Sequence, residues 1–271
     1  MTLLLKPVEA ARGLRWIVDA FRLFVRRPLA FTLLFAAFMF AALVATLVPL
    51  LGGLLQMMLL PLLTLGFMVA SQSALSNGPV SPVQFIEPLR ADPARRRSLL
   101  LLCLIYGVGA ALILWLSDAV SNNALGRLMA LASKGSATQA QIDALLNEPG
   151  VLFGGLLLAG LGTLLSAPFW HAPALVHWAG QSLGQALFSS WLAVWRSKAA
   201  FLLYMLGWFF LIVLFGVGSA LLFSMLGMRQ LAGLAALPAG LMFSTVFYIS
   251  LLFTFNDSFG AAVATPQPPA D

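Results

Sequence analysis

Six apolar runs, each long enough to cross a bilayer, constrain this chain more than any other feature. They cover about residues 29–48, 54–75, 98–117, 151–170, 199–226 and 231–255. A spanning helix needs roughly 20 mostly apolar residues, because the hydrocarbon core is about 30 Å thick. Backbone N–H and C=O groups find no water there, so each run must satisfy them internally as a helix. Of the 271 residues, 61% are hydrophobic and only 9% are charged. A water-soluble fold of this size carries far more polar surface. A soluble enzyme, a disordered chain and a disulfide-rich secreted domain are thereby excluded. The expected fold class is an all-α polytopic membrane protein with six transmembrane helices. Residues 1–260 read as a single integral-membrane domain and 261–271 as a disordered tail. The first run begins only after Arg26-Arg27-Pro28 and is longer than the roughly 7–15 residues of a signal-peptide core, so no cleavable signal is expected. Residues 8–27 are rich in arginine, as a transit peptide is, but Glu9 and Asp19 count against that reading.

The charges orient the spans. A net charge of +6 in a soluble protein would suggest nucleic acid. Sorted by segment, it reads differently, and no nucleic-acid partner is expected. With the N-terminus inside, only Arg127, Lys134 and Arg229 fall outside, against twelve bases inside. Twelve bases and six acids give the inner face +6, while three bases and three acids leave the outer face neutral. Basic residues concentrate in cytoplasmic segments. Both termini are therefore expected in the cytoplasm, with the spans in a bacterial inner membrane.

Residues 8–27 read as an interfacial amphipathic helix. Leu14, Ile17, Val18, Phe21, Phe24 and Val25 share one face, and Arg12, Arg15, Asp19, Arg22 and Arg26 gather in a narrow arc on the other. Such a helix lies in the headgroup plane with its arginines towards anionic lipid. Trp16 and Leu23 fall outside the apolar face and read as a contact with a partner or with the protein's own inner loops.

The pattern recurs. Ser81-Pro82-Val83-Gln84 and Ser182-Leu183-Gly184-Gln185 both fit a capping box, in which serine and glutamine satisfy orphan amides reciprocally. Each opens a segment that ends in bases just before a span: Arg95-Arg96-Arg97 in one, Arg196 and Lys198 in the other. Pro88 and Pro93 reduce the middle segment to a short helix plus a loop. Arg27 to Arg97 is 70 positions and Arg97 to Lys198 is 101, a difference of 31 that nearly equals the outer loop, 118–149. The expectation is three pseudo-repeated units of interfacial helix plus hairpin, the second carrying an inserted outer loop. That loop is expected to be helical, with a capping box at Thr138-Gln139-Ala140-Gln141. It would lie on the outer surface as a lid or offer a partner-binding face. Small residues recur every four positions in three spans: Ala37-Ala41-Ala45, Gly155-Ala159-Thr163-Ala167 and Ala232-Ala236-Gly240-Ser244. These stripes are expected to face other helices.

Chemistry-bearing residues are sparse. No Asp, Glu, Lys or Arg lies near the middle of any span, where ion-coupled transporters keep them. Tyr106, Tyr204 and Tyr248, with Trp208, are candidates for lining a cavity or for hydrogen-bonding within a packed bundle. Trp170, His171, His177 and Trp178 form a candidate site at the inner mouth. The two histidines are six apart, about 120° from an eclipsed position on a helix, and do not share a metal easily. Cys103 reads as a small hydrophobe. No G-x-S-x-G, H-E-x-x-H or Walker A sequence is present, and neither metal nor cofactor is expected. The candidate anionic-lipid contacts are Arg12, Arg15, Arg22, Arg26, Arg27, Arg95, Arg96, Arg97, Arg196 and Lys198.

The chain resembles an uncharacterised family of six-span proteobacterial inner-membrane proteins. The resemblance rests on Trp16…Phe24…Arg27-Pro28, on Phe169-Trp170…Pro173-Ala174-Leu175 followed by Gly180-Gln181-Ser182…Ala186, and on Phe247-Tyr248…Asn256-Asp257. That family brings no assigned activity. The leading expectation is a non-enzymatic multi-pass protein acting on lipid or on a membrane-protein partner. An uncoupled permease or lipid-handling transporter and an interfacial lipid-modifying enzyme using His171 or His177 are the alternatives.

Overall fold

A computed structural model describes residues 3–90, 92–134 and 139–261. Twelve α-helices lie among the described residues. They are α1 (Arg12–Arg26), α2 (Pro28–Thr46), α3 (Gly52–Met58), α4 (Leu60–Leu75), α5 (Pro93–Val120) and α6 (Ala124–Lys134), then α7 (Gln139–Leu146), α8 (Pro149–Phe169), α9 (Ala172–Ala179), α10 (Leu183–Arg196), α11 (Lys198–Met225) and α12 (Arg229–Ser258). Six units are long and apolar enough to cross a membrane: α2, α3 with α4, α5, α8 with α9, α11, and α12. The chain is an all-α polytopic membrane protein.

Local chemistry sets the helix limits. Pro28, Pro93 and Pro149 each open a helix, where the missing N–H has no partner to lose. Asp92 caps α5, its carboxylate accepting from the amides of Ala94 and Arg95 at 3.1 and 3.4 Å. In both capping boxes the glutamine side chain accepts from the serine amide, at 3.0 Å for Ser81 and 3.4 Å for Ser182. The first box opens two 3-10 turns, Pro82–Phe85 and Glu87–Arg90, and the second opens α10. The second span breaks at Leu59, because Pro61 cannot donate back along the helix. α12 runs unbroken through Pro238.

Two short strands were not legible in the sequence. β1 (Leu3–Leu5) pairs antiparallel with β2 (Phe259–Ala261), Leu4 opposite Gly260. The pairing ties the two ends of the described chain together, at the end of the bundle that carries the basic segments. Of the expected disordered tail, only Ala261 is described, and it ends β2. In the loop at the far end, α6 and α7 are helical, and Arg127 pairs with Glu148 at 2.6 Å. The expected cap at Thr138 lies outside the described residues.

The core sits in the basic half. One cluster joins α1, α2, α4, α11 and α12 around Trp16, Phe31, Phe67 and Tyr204. A second joins α4, α5, α9, α10 and α12 around Leu99, Leu102 and Leu175. Towards the far end the helices splay, leaving Leu214, Leu221, Leu237 and Leu152 exposed. The small-residue stripes depart from expectation there. Ala41, Ala159 and Ala236 are exposed, and Gly155 and Gly240 have no neighbour within contact distance. Lipid is as apolar as leucine, so an uncovered apolar face carries no penalty that would force closure.

The three segments that precede spans pack differently. α1 docks inside the bundle, the middle segment is two 3-10 turns, and α10 lies against α8 and α9. They share a place in the chain, not a mode of packing.

Candidate functional site

The basic end holds most of the residues singled out above, and α1 organises it. Its buried face is Gly13, Trp16, Ile17, Ala20, Leu23 and Phe24, rotated from the expected apolar face. Leu14, Val18 and Val25 are left exposed. A Cβ on Gly13 would collide with the backbone carbonyl of Ala200, so only glycine permits this approach. Eight residues on, Phe21 reaches Trp208 and Phe243, with ring centroids 6.2 and 6.4 Å apart. α1 thus follows α11 in parallel for about 12 Å. A helix lying flat across the end of the bundle would touch α11 at one turn only. The expected flat interfacial placement is therefore replaced by a three-sided helix: one face on protein, one apolar face outward, and the arginine arc between them.

Asp257 of α12 anchors that docking. Its Oδ2 accepts from Arg12 Nε and from Trp16 Nε1, both at 2.7 Å, and Arg12 Nη2 lies 2.7 Å away. The carboxylate is about a quarter exposed. Trp16 is fully buried against Phe201 and Tyr204. Trp16 therefore meets this protein's own spans, not its inner loops.

Trp170 and His171 sit at the break between α8 and α9. Pro173 cannot donate to the turn before it, and the helix parts. Ser190 of α10 fills the gap: its hydroxyl accepts from the His171 amide at 2.9 Å and donates to the Ala167 carbonyl at 3.0 Å. Those two groups would bond directly in an unbroken helix, so the hydroxyl is inserted into the ladder. Thr254 Oγ1 donates to Leu251 O at 2.8 Å and faces Trp170 Nε1 at 3.2 Å and His171 Nε2 at 3.1 Å. Both ring nitrogens then act as donors to the threonine. His171 is fully buried behind Phe201, Phe255 and Phe259. His177 lies in the last turn of α9 beside Trp178, which packs on Phe255. His171 and Trp170 thus form one network with Thr254, and His177 belongs to the rim.

Several bases have structural partners. Arg27 donates to the carbonyls of Gly78 and Asn77, closing the turn after α4. Arg95 Nη1 donates to His177 O at 3.2 Å, where the helix dipole favours a cation. Gly180 ends α9 there with φ of 63°, a conformation suited to glycine. Arg22 reaches Asp19 at 3.3 Å on the surface. Lys198 lies 5.3 Å from the ring centroid of Trp195. Arg15, Arg26, Arg96, Arg97 and Arg196 are exposed and enter no ion pair among the described residues.

The four residues expected around a cavity divide. Tyr106 and Tyr248 line a cleft of about 150 Å³ with Thr64 and Ser166. A cavity of about that size takes a molecule no larger than benzene. Tyr204 is fully buried elsewhere, its hydroxyl 2.6 Å from Ser250 Oγ, and Trp208 stacks into the same aromatic cluster.

Sequence reasoning missed Asp257, Ser190 and Thr254 as partners. It also missed the packing seam of α1, although Gly13, Trp16, Ala20 and Leu23 follow the three–four spacing of helix interfaces.

No family model matches the chain, and no solved structure matches it. A protein of Burkholderia thailandensis named as a probable inner membrane protein is 31% identical over 255 residues, covering 93% of each chain. With near full-length identity at that level, and six apolar helices to carry it, the chain belongs to the same family of multi-pass inner-membrane proteins.

Proposed function

We propose that this is a non-enzymatic inner-membrane protein that acts through lipid, with its basic end in the cytoplasm against anionic headgroups. The observation that carries the reading is the division among the bases. Arg12, Arg27 and Arg95 hold the fold together, while Arg15, Arg26, Arg96, Arg97 and Arg196 remain exposed around the same end. Each base close to an anionic membrane surface contributes about 1 kcal/mol of attraction.

Spin-labelled phosphatidylglycerol and phosphatidylcholine in reconstituted vesicles test it. The wild type should prefer phosphatidylglycerol, and a variant with those five arginines changed to glutamine should lose most of that preference. Equal preference in both proteins overturns the reading. Recovery of a stable membrane-protein partner without lipid preference moves it to protein contact.

Reporter fusions after Leu51, Leu89, Lys134, Gly184, Met228 and Gly260 test the orientation. They should report out, in, out, in, out, in, and one clear reversal breaks the proposed placement.

A further inference from the structure

α8 and α11 stand apart where they leave the basic end. Between them lies a groove of about 650 Å³, walled by Gly162 and Ser166 on one side and Phe201 and Met205 on the other. A second groove of about 280 Å³ runs along the neighbouring flank of α8, against Trp191 and Trp195 of α10. The two share Thr163, Ala167 and Val194, so only these side chains separate them. Lys198 lines the first groove, and its ammonium lies over Trp195, which lines the second. One cation therefore stands where the two grooves meet.

The walls belong to membrane-spanning helices, so both grooves open sideways onto hydrocarbon. Water does not fill such a space, because each molecule needs two to four polar partners. An empty groove would forfeit dispersion contacts along its length. An acyl chain supplies them. From Lys198 to Met205 the first groove runs about 10 Å, and along α8 from Ala167 to Leu158 about 13 Å. At its head, Lys198 enters no ion pair among the described residues. Tryptophan beside it suits the headgroup level of a bilayer.

We propose that the two grooves seat the two chains of one anionic phospholipid, its phosphate at Lys198. This rests on the lipid reading above but names a single site, distinct from the exposed arginines. Native mass spectrometry after reconstitution in phosphatidylglycerol, or separately in phosphatidylcholine, tests it. The wild type should retain one phosphatidylglycerol per chain. Gly162→Leu places a side chain in the first groove without meeting any atom of the protein, since a Cβ there has no neighbour within contact distance. It should reduce retention at least tenfold with an unchanged melting temperature. Ala159→Leu, on the same wall, is the second filler should Gly162→Leu lower the melting temperature. Lys198→Gln should remove the preference for phosphatidylglycerol over phosphatidylcholine. The five-arginine variant should keep its bound lipid. Undiminished retention in both groove-filling variants overturns the site and leaves the spin-label preference as the test of the broader reading. A retained lipid without any spin-label preference does the reverse. Loss of retention in the arginine variant alone also overturns the site.

Discussion

The basic half and the far half of this molecule have similar apolar composition and opposite packing. In the basic half, Gly13 and Gly66 are pressed against other elements, and Trp16, Phe67, Tyr204 and His171 are fully buried. In the far half, Gly155, Gly216, Gly218 and Gly240 meet nothing, and α11 shows leucine and phenylalanine to the outside on nearly every side. The difference teaches what holds a membrane bundle together. Apolar contact alone does not favour closure when the solvent is also apolar. Polar groups that need partners do favour it, since each unsatisfied one costs free energy in hydrocarbon. The basic half contains Asp257, Ser190, Thr254, Ser250 and two broken helices, and it is the half that closes.

Substitutions can break or sharpen this comparison. Gly13→Leu drives a side chain into the Ala200 carbonyl and should cost about 3 kcal/mol or more, as overpacking against backbone does. The protein should accumulate poorly and unfold early in detergent. Asp257→Ala leaves Arg12 and the Trp16 indole unpaired. The cost should be about 2 kcal/mol, below that of a fully buried pair because water still reaches both groups. Denaturant titration of the solubilised protein should resolve it, and Asp257→Asn should recover only part, keeping an acceptor without the charge. Ser190→Ala removes the hydroxyl from the helix break and should cost about 1–2 kcal/mol. Gly218→Leu and Leu221→Ala in the far half should shift the same titration by less than about 0.5 kcal/mol. Should either far-half change destabilise as much as Ser190→Ala, the far half packs as tightly as the basic half, and the contrast fails.

The six spans were legible because length and apolarity decide them. What lies beside each span was not. Depth can be read from position in a run, but the direction a side chain takes around the bundle cannot. Tyr106, Tyr204 and Tyr248 sit at comparable depth, yet two share a cleft while Tyr204 belongs to the docking surface of α1. The helix of α1 was legible, but its apolar residues form two faces and were read as one. The arginines take up only about 80° of the wheel, which leaves room for both. Asp257 was visible as an inner acid, but its bond to Arg12 spans 245 positions and leaves no local trace. The small-residue stripes suggested helix contacts that the far half does not make. A stripe records that close approach is possible, and another force must bring it about.

The docking of α1 also sets an order of events during synthesis. Gly13 finds its seat on Ala200, and Arg12 finds Asp257, only after nearly the whole chain has left the ribosome. At about 5–20 residues per second, the helix waits roughly 10–40 s for the surface that will hold it. Its arginine arc and outer apolar face suit it to rest on the bilayer surface during that wait. Assembly then ends where it began, as β2 pairs with β1 and the last residues to emerge close over the first.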